Sequence, residues 1–459
     1  MKIDFSNSPN MSRAIECYKT NNFSEAISLF SEDEKRNNFE VIQFIGVCLF
    51  KIKKYPAALS YLEICINAEP SKCSKQAWLY YFNIYAMQDN VVLCKEILQQ
   101  AKKYKKFDFR LAKTALDRFC DTDDTMALDI VNEMYPFVEE YCYKNQLKVP
   151  QRFSSAYARY HISLNSTYNK EKIEIPDEIL NEFEILIPTY KRKDIVVSTI
   201  REMKNVNEKI HIRVIDNASD DGSFEALQEL VKEFPNLYVS QNKENIGYAG
   251  NMVKVVECCK KKLGVITSNE EPVIVKNIVE IVKYMLSNGI DFVSPQFFKK
   301  SKLLRGRSFI VDMPVQDFGR SIADFPGIIV NSYKLQKFFQ QINIWQYMYF
   351  EQVYPQVYMS IYLLLFGKCS YYNLPSVYVK HTLENQSVSR NKSYVFVDKR
   401  WQQAREFAKL VDVIEQIFPS CEEQKLRIQK LKEAIMAPIF ATLKKAATKE
   451  FPQYKNFFY

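Results

Sequence analysis

The spacing of apolar residues divides the chain into two regimes. Up to about residue 145, apolar side chains recur every three to four positions, as in Ala14, Tyr18, Phe23, Ala26 and Phe30, the spacing of a helical face. The same set returns 32 residues later as Gly46, Phe50, Tyr55, Ala58 and Leu62, and continues into Cys65, Ala68 and Pro70. A third, degenerate unit reads from Trp78 through Ile97 and Ala101. Small and aromatic residues returning at a fixed offset predict helix pairs that interlock at those points. After Pro150 the pattern becomes irregular through NSTYNKEKIEIPDE, which predicts a linker or packing segment. From Phe183 the period shortens. FEILIP (183–188), HIRVID (211–216), LYVS (237–240) and GVITS (264–268) are β-rich runs, separated by helical patterns at about 192–204, 222–233 and 247–260. That rhythm predicts a parallel sheet, a fold that binds ligands at the carboxyl ends of its strands. Further on, DFPGIIVNSYKLQKFF (324–339) reads as a strand and a helix, MYFEQVYPQVYMSIYLLLFG (348–367) as a helix, and SYYNLPSVYVKH as a final strand before helices from Arg400.

Composition sharpens the division. Of ten glycines, Gly46 alone precedes Gly222. Helices exclude glycine and strand-to-helix turns use it, so the first half is expected to be all-helical and the middle to contain the sheet. The eleven cysteines form no Cys-x-x-Cys pair, and MKIDFSNSPN has no apolar stretch, so a reducing, cytoplasmic location is expected. The longest apolar runs, such as 361–366, fall far short of a membrane span. A net charge of +9 is a modest, scattered excess, and nucleic acid is not an expected partner. The 32-residue recurrence resembles a tetratricopeptide repeat, which implies an interaction or support module.

The four strand ends carry PTYKR (188–192), DNASDDGS (216–223), NKENIGYAGN (242–251) and SNEEP (268–272). A helix starting after Pro188, Thr189 and Tyr190, with Lys191 and Arg192 beside it, is expected to offer free backbone N–H groups to a pyrophosphate. Gly247 and Gly250 permit close backbone approach, and Asn245 and Asn251 offer amides to a base or ribose. In this order and spacing, LIPTYKR, VIDNASDDGS, ENIGYAGN and the carboxylate cluster resemble the nucleotide-sugar-binding half of a glycosyltransferase family 2 enzyme with the GT-A fold. The resemblance covers about residues 182–296 well, the next hundred weakly and the amino-terminal helices not at all. It implies an α/β GT-A (Rossmann-like, mostly parallel sheet) catalytic domain at 182–395. An all-α TPR-like domain at 1–148 and the segment 149–181 precede it, and a helical extension at 396–459 follows.

The resemblance also implies roles. Asp216 would contact the base, with Asn217, Ser219, Asp220 and Gly222 forming the turn. Pro188, Thr189, Tyr190, Arg192, Asn217, Asn245, Gly247, Asn251 and Asn269 would complete the donor site. Asn269-Glu270-Glu271 falls where the family carries an Asp-x-Asp motif holding a divalent cation, Mn or Mg, on the donor phosphates. Here Asn269 replaces the first Asp and Glu271 falls at the second, so the metal is either held more weakly or dispensed with. His381 is the remaining expected metal contact, with Lys380 and Arg390 placed to serve the same phosphates. The carboxylate that deprotonates the acceptor hydroxyl is expected at Glu351, with Asp317 and Asp324 as alternatives.

The expectation is a cytoplasmic hexosyl- or N-acetylhexosaminyltransferase, probing as partners a UDP-sugar and a glycan or lipid-linked glycan hydroxyl, and acting with inversion in surface polysaccharide, lipopolysaccharide or glycoconjugate assembly. The apolar face of Leu426, Leu431, Ile435 and Ile439, flanked by lysines, is expected either to pack against the catalytic domain or to rest on an anionic membrane surface. Two alternatives stand beside this. The TPR-like helices would bind a polypeptide acceptor, or the catalytic half would be a weakened nucleotide-sugar-binding scaffold, a doubt raised by Asn269.

Overall fold

The computed structural model describes residues 9–32, 38–322, 324–348, 355–380, 397–418 and 421–435. The chain divides into two compact units, residues 1–160 and 161–459.

The first unit is helical: α1 (Pro9–Lys19), α2 (Phe23–Glu32), α3 (Phe39–Lys51), α4 (Tyr55–Ala68), α5 (Lys75–Met87), α6 (Val91–Lys103), α7 (Phe109–Phe119) and α8 (Thr125–Lys144). Side-chain oxygens of Asn38, Ser74, Asn90, Asp108 and Asp124 cap the starts of α3 and α5–α8 by accepting from backbone N–H groups. Asn21, Lys53, Asp89, Lys105 and Gln146 follow α1, α3, α5, α6 and α8 in the left-handed conformation. After the first three, the next N–H reaches back five residues: Asn22 to the Cys17 carbonyl (2.8 Å), Lys54 to Leu49 (2.9 Å) and Asn90 to Tyr85 (3.1 Å). This closure usually recruits glycine. Here Asn, Lys and Asp adopt it, so the helices of this half end without glycines. Gly46 has a different function: a Cβ there would lie 3.1 Å from the Leu62 side chain, so its absence lets α3 and α4 approach closely.

Part of the expected linker 149–181 is helical. Residues Gln151–Ser163 form α9, because Phe153, Ala156 and Tyr157 share a buried face that the irregular stretch after it obscured. A single turn, α10 (Asp177–Leu180), leads into the sheet.

In the second unit the strands are β1 (Phe183–Thr189), β2 (Ile212–Asp216), β3 (Leu237–Gln241), β4 (Leu263–Ile266), β5 (Phe292–Lys299), β6 (Lys302–Arg305), β7 (Val311–Asp312), β8 (Ile328–Asn331) and β9 (Cys369–Pro375). The sheet order is β3-β2-β1-β4-β8-β5-β9-β7, with β6 paired to β5. Strands β1 to β4 are parallel, with Thr189 opposite Asp216 and Ile185 opposite Val265. Three described strands depart from the parallel rhythm: β8, inserted antiparallel between β4 and β5, β6 antiparallel to β5, and β7 antiparallel to β9. Because β5 reverses again, it runs with β4, and β1, β2, β4 and β5 all end at the same edge.

Alternation along the strands separates two cores. Ile185, Ile187, Val214, Val265 and Ile329 pack under α11 (Lys193–Val206), α12 (Ser223–Glu233) and α14 (Val275–Asn288). Leu186, Ile215, Ile266, Ile328 and Val330 pack under α13 (Gly247–Glu257), α16 (Ser332–Ile342), α17 (Pro355–Phe366) and α18 (Val397–Ile417). The short α15 (Phe318–Ser321) closes the second core.

Two expectations are narrowed here. Helix α17 is described from Pro355 rather than 348, and Met348 is not helical. Residues 349–354 of the expected helix lie outside the described residues. The carboxyl-terminal apolar face is spent internally. Ile428, Leu431 and Ile435 are buried in the second core, while Leu426 is exposed and Ile439 lies outside the described residues. Leu431 and Ile435 of that face therefore pack against the domain. No described helix is long and apolar enough to cross a membrane.

Candidate active site

The turn after β2 is built around a buried carboxylate. Asp216 is fully buried, and its Oδ2 accepts from the Ser219 N–H and the Gln241 Nε2 (both 2.9 Å), while its Oδ1 accepts from the Ser219 hydroxyl (2.5 Å). Asp216 thus braces the turn through both carboxylate oxygens. The turn in turn caps α11. The Lys191 N–H donates to Ser219 Oγ (2.8 Å), the Arg192 N–H to Ser223 Oγ (3.3 Å) and the Lys193 N–H to the Asp221 carboxylate (3.3 Å). The side chains of the turn thus accept from the three N–H groups that lead into α11. Although burial works against it, the Ser223 hydroxyl and the Lys193 and Ser223 N–H groups hold the Asp221 carboxyl below its ordinary value. Gly222 adopts φ +79° at the start of α12.

Four asparagines join this turn to the start of α13. Asn217 Nδ2 donates to Asn245 Oδ1 (2.8 Å) and the Gly247 carbonyl (3.1 Å), and its Oδ1 accepts from Asn242 (2.9 Å) and the Ile246 N–H (3.1 Å). Asn251 donates to the Ile215 carbonyl (3.0 Å) and accepts from Asn242 (3.0 Å). Asn217 and Asn251 are both buried, so they position the backbone around the strand ends. Gly247 takes φ +76° to make the corner. Of the amino-terminal motif, Thr189 is buried, Pro188 half-buried and Tyr190 exposed, with the Lys191 ammonium 5.4 Å from the Tyr190 ring centroid.

After β4 the chain brings charges together. The Asn269 Nδ2 donates to Thr189 Oγ1 (3.3 Å), linking the first and fourth strand ends. Glu270 faces Arg192 (3.6 Å). Glu271, buried, accepts from the Ser268 hydroxyl on one oxygen and pairs with Lys299 on the other (3.0 Å). Lys299 ends β5 and also lies 3.9 Å from Asp324. The turn containing Asp324 is held by Arg305, fully buried, whose guanidinium donates to the carbonyls of Asp324, Pro326 (2.6 Å) and Pro295 (3.3 Å). The exposed Tyr248 ring packs beside Phe325 of the same turn, 5.8 Å between centroids.

Other expected contributors fall elsewhere. Asp317 pairs with Arg307, and Lys380 pairs with Glu202 (2.7 Å) and Ser198 (3.0 Å) on α11, away from the phosphate role proposed for it. The Lys380 N–H does donate to the Glu270 carbonyl (3.3 Å), so the chain reaches position 380 beside the Asn269–Glu271 turn. Glu351, His381 and Arg390 lie outside the described residues.

Burial, aided by the neighbouring Glu271 charge, raises the Glu270 carboxyl above its ordinary value despite Arg192. The folded state therefore binds this proton more tightly than the unfolded state. Stability contributed this way is complete below the ordinary value of 4.5 and is lost as pH rises through the raised one. Glu270→Gln is expected to raise the urea midpoint at pH 7 and to flatten its rise as pH falls toward 4.5. An unchanged pH slope in the variant would count against this.

The described residues do not fit a protein-held divalent cation. Such an ion wants several oxygen ligands, and among the described residues no group of three or more His, Cys, Asp or Glu is placed to supply them. Asn269 is neutral, and each glutamate of the turn already faces a cation.

Sequence reasoning missed Lys299, Arg305 and Asn242. The first two follow the last readable motif and are brought to the site by β5 and β6; only the run of amides in NKEN hinted at the third.

Residues 184–333 match the family model described as glycosyl transferase family 2. No curated protein sequence matches the chain. Among solved structures, the 1–349 fragment of S. aureus TarS in complex with UDP-GlcNAc is 13% identical, with 59% of this chain and 76% of that one covered at a TM-score of 0.45. The mannosyltransferase PcManGT from Pyrobaculum calidifontis, in complex with GDP-Man and Mn2+, is 13% identical, covering 71% and 84% at a TM-score of 0.38. With its mostly parallel sheet and the matched segment spanning β1 to the start of α16, this chain carries a glycosyltransferase family 2 domain of GT-A-like architecture.

Proposed function

We propose that the protein transfers a hexosyl or N-acetylhexosaminyl group from a UDP-sugar to a hydroxyl of a glycan or lipid-linked glycan, with inversion at the anomeric carbon. The observation that supports this most is the shared edge of β1, β2, β4 and β5. There the amide-braced turns, Arg192 and the Glu270–Glu271–Lys299 cluster meet in one place, as a donor with a nucleoside at one end and a charged diphosphate at the other requires.

In this reading the acceptor oxygen bonds to the anomeric carbon as that carbon's bond to the diphosphate oxygen breaks, the electron pair leaving with the nucleoside diphosphate. Glu351 takes the acceptor proton. The turn of Asp216, Asn217, Asn245, Gly247 and Asn251 shapes the nucleoside end, and Tyr190 and Arg192 border it. A polypeptide acceptor bound by the helices of the first unit is the second reading, which the 32-residue recurrence of small and aromatic residues favours.

The test is release of UDP from a panel of UDP-sugars, with glycan, lipid-linked and peptide acceptors, by wild-type protein and Glu351→Ala. Wild-type turnover falling by about a hundredfold or more in the variant, with UDP binding retained, is the expected result. UDP binding without turnover on any acceptor would instead establish the scaffold alternative.

A further inference from the structure

We propose that Lys299 supplies, in place of a bound divalent cation, the positive charge that meets the donor's diphosphate. This rests on the function proposed above and deepens it.

The charge that faces outward is that of Lys299. The Glu271 side chain is 5% exposed and that of Lys299 33%, with the ammonium 3.0 Å from the carboxylate. The lysine therefore stands between the buried carboxylate and solvent. An incoming cation would have to evict an ammonium from a buried partner, and the other carboxylate oxygen is already taken by the Ser268 hydroxyl. The neighbouring position offers no better ligand: Asn269 is uncharged and turned to Thr189, and Glu270 faces Arg192. An anion approaching the same edge meets the opposite situation. The Lys299 ammonium has three N–H donors, one close carboxylate and a second at 3.9 Å, so it retains capacity for a phosphate oxygen without leaving Glu271. Burial alone would favour its neutral form, but the charges of Glu271 and Asp324 outweigh that and keep the lysine protonated.

Its position also suits the leaving group. Lys299 ends β5, on the far side of β4 from the β1–β2 turns, with β8 between. A donor whose nucleoside lies over β1 and β2 extends its phosphates past the Asn269–Glu271 turn toward this ammonium. As the bond to the sugar breaks, the electron pair stays on the diphosphate oxygen, and a fixed cation at that end stabilises it as the charge develops.

The experiment measures calorimetric binding of UDP and GDP, each against its own nucleoside, to the full chain stripped of metal and kept in EDTA. Wild-type protein is expected to prefer the diphosphate without added metal. Lys299→Met is expected to weaken diphosphate binding on the order of tenfold to a hundredfold, leave nucleoside binding unchanged, and be largely rescued by Lys299→Arg. Diphosphate preference appearing only when Mn2+ or Mg2+ is added, or persisting in Lys299→Met, overturns the inference while leaving the proposed transferase intact. Absence of any nucleotide binding, with or without metal, overturns the transferase reading and this inference with it.

Discussion

Asp216→Ala is expected to cost the protein about 2–4 kcal/mol of stability and, with it, its affinity for nucleotide. The alanine leaves the Ser219 N–H, the Ser219 hydroxyl and the Gln241 amide without their shared acceptor in a fully buried place. Ser219 is also the residue that accepts from the Lys191 N–H, so the loss passes directly to the start of α11 and to Arg192 beside it. Urea unfolding and UDP calorimetry on the same preparation would check both halves. A variant with wild-type stability but no UDP binding would restore the role first expected for Asp216, direct contact with the base.

Glu184→Ala is expected to be the costlier change for stability, about 3–5 kcal/mol, with no effect on nucleotide affinity in the fraction that remains folded. Glu184 sits on β1, the same strand that ends at Thr189, and is almost wholly buried. Its carboxylate binds Arg213 through Nε (3.1 Å) and Nη2 (3.0 Å) and accepts the Lys260 N–H (3.0 Å). Removing it leaves a mostly buried guanidinium without its counter-charge. Glu184→Gln keeps an acceptor and should recover part of the loss, which urea midpoints of the two variants would show. Together the two carboxylates separate the ends of the sheet: one end carries stability alone, the other stability and ligand binding.

Much of the architecture was legible because it rests on local patterns. The strands at 183–189, 212–216 and 237–241 lie within two residues of their expected positions, since alternating apolar runs between Gly- and Asn-rich turns leave few other conformations. The helical first half followed from its glycine content. Helix α9 was obscured because a short amphipathic face at 151–163 precedes a polar stretch.

The residues of the site were legible as positions more than as roles. The motifs mark the strand ends, where Asp216, Asn217 and Asn251, expected to touch a ligand, are buried and hydrogen-bonded within the turns. Spacing shows that a polar residue lies at a turn, but its hydrogen-bond partners come from other turns, and only their meeting decides whether an atom is left for a ligand.

By itself the sequence determined the two regimes, the helices of the first and the parallel strands of the second, because each follows from the periodicity of a continuous stretch. Tertiary structure alone decided the direction of β8, the burial of the carboxyl-terminal apolar face and the convergence of Arg192, Glu270, Glu271, Lys299 and Asp324. These depend on contacts between residues up to a hundred or more positions apart. Which charge faces solvent is a property of the packed arrangement, and no local pattern encodes it.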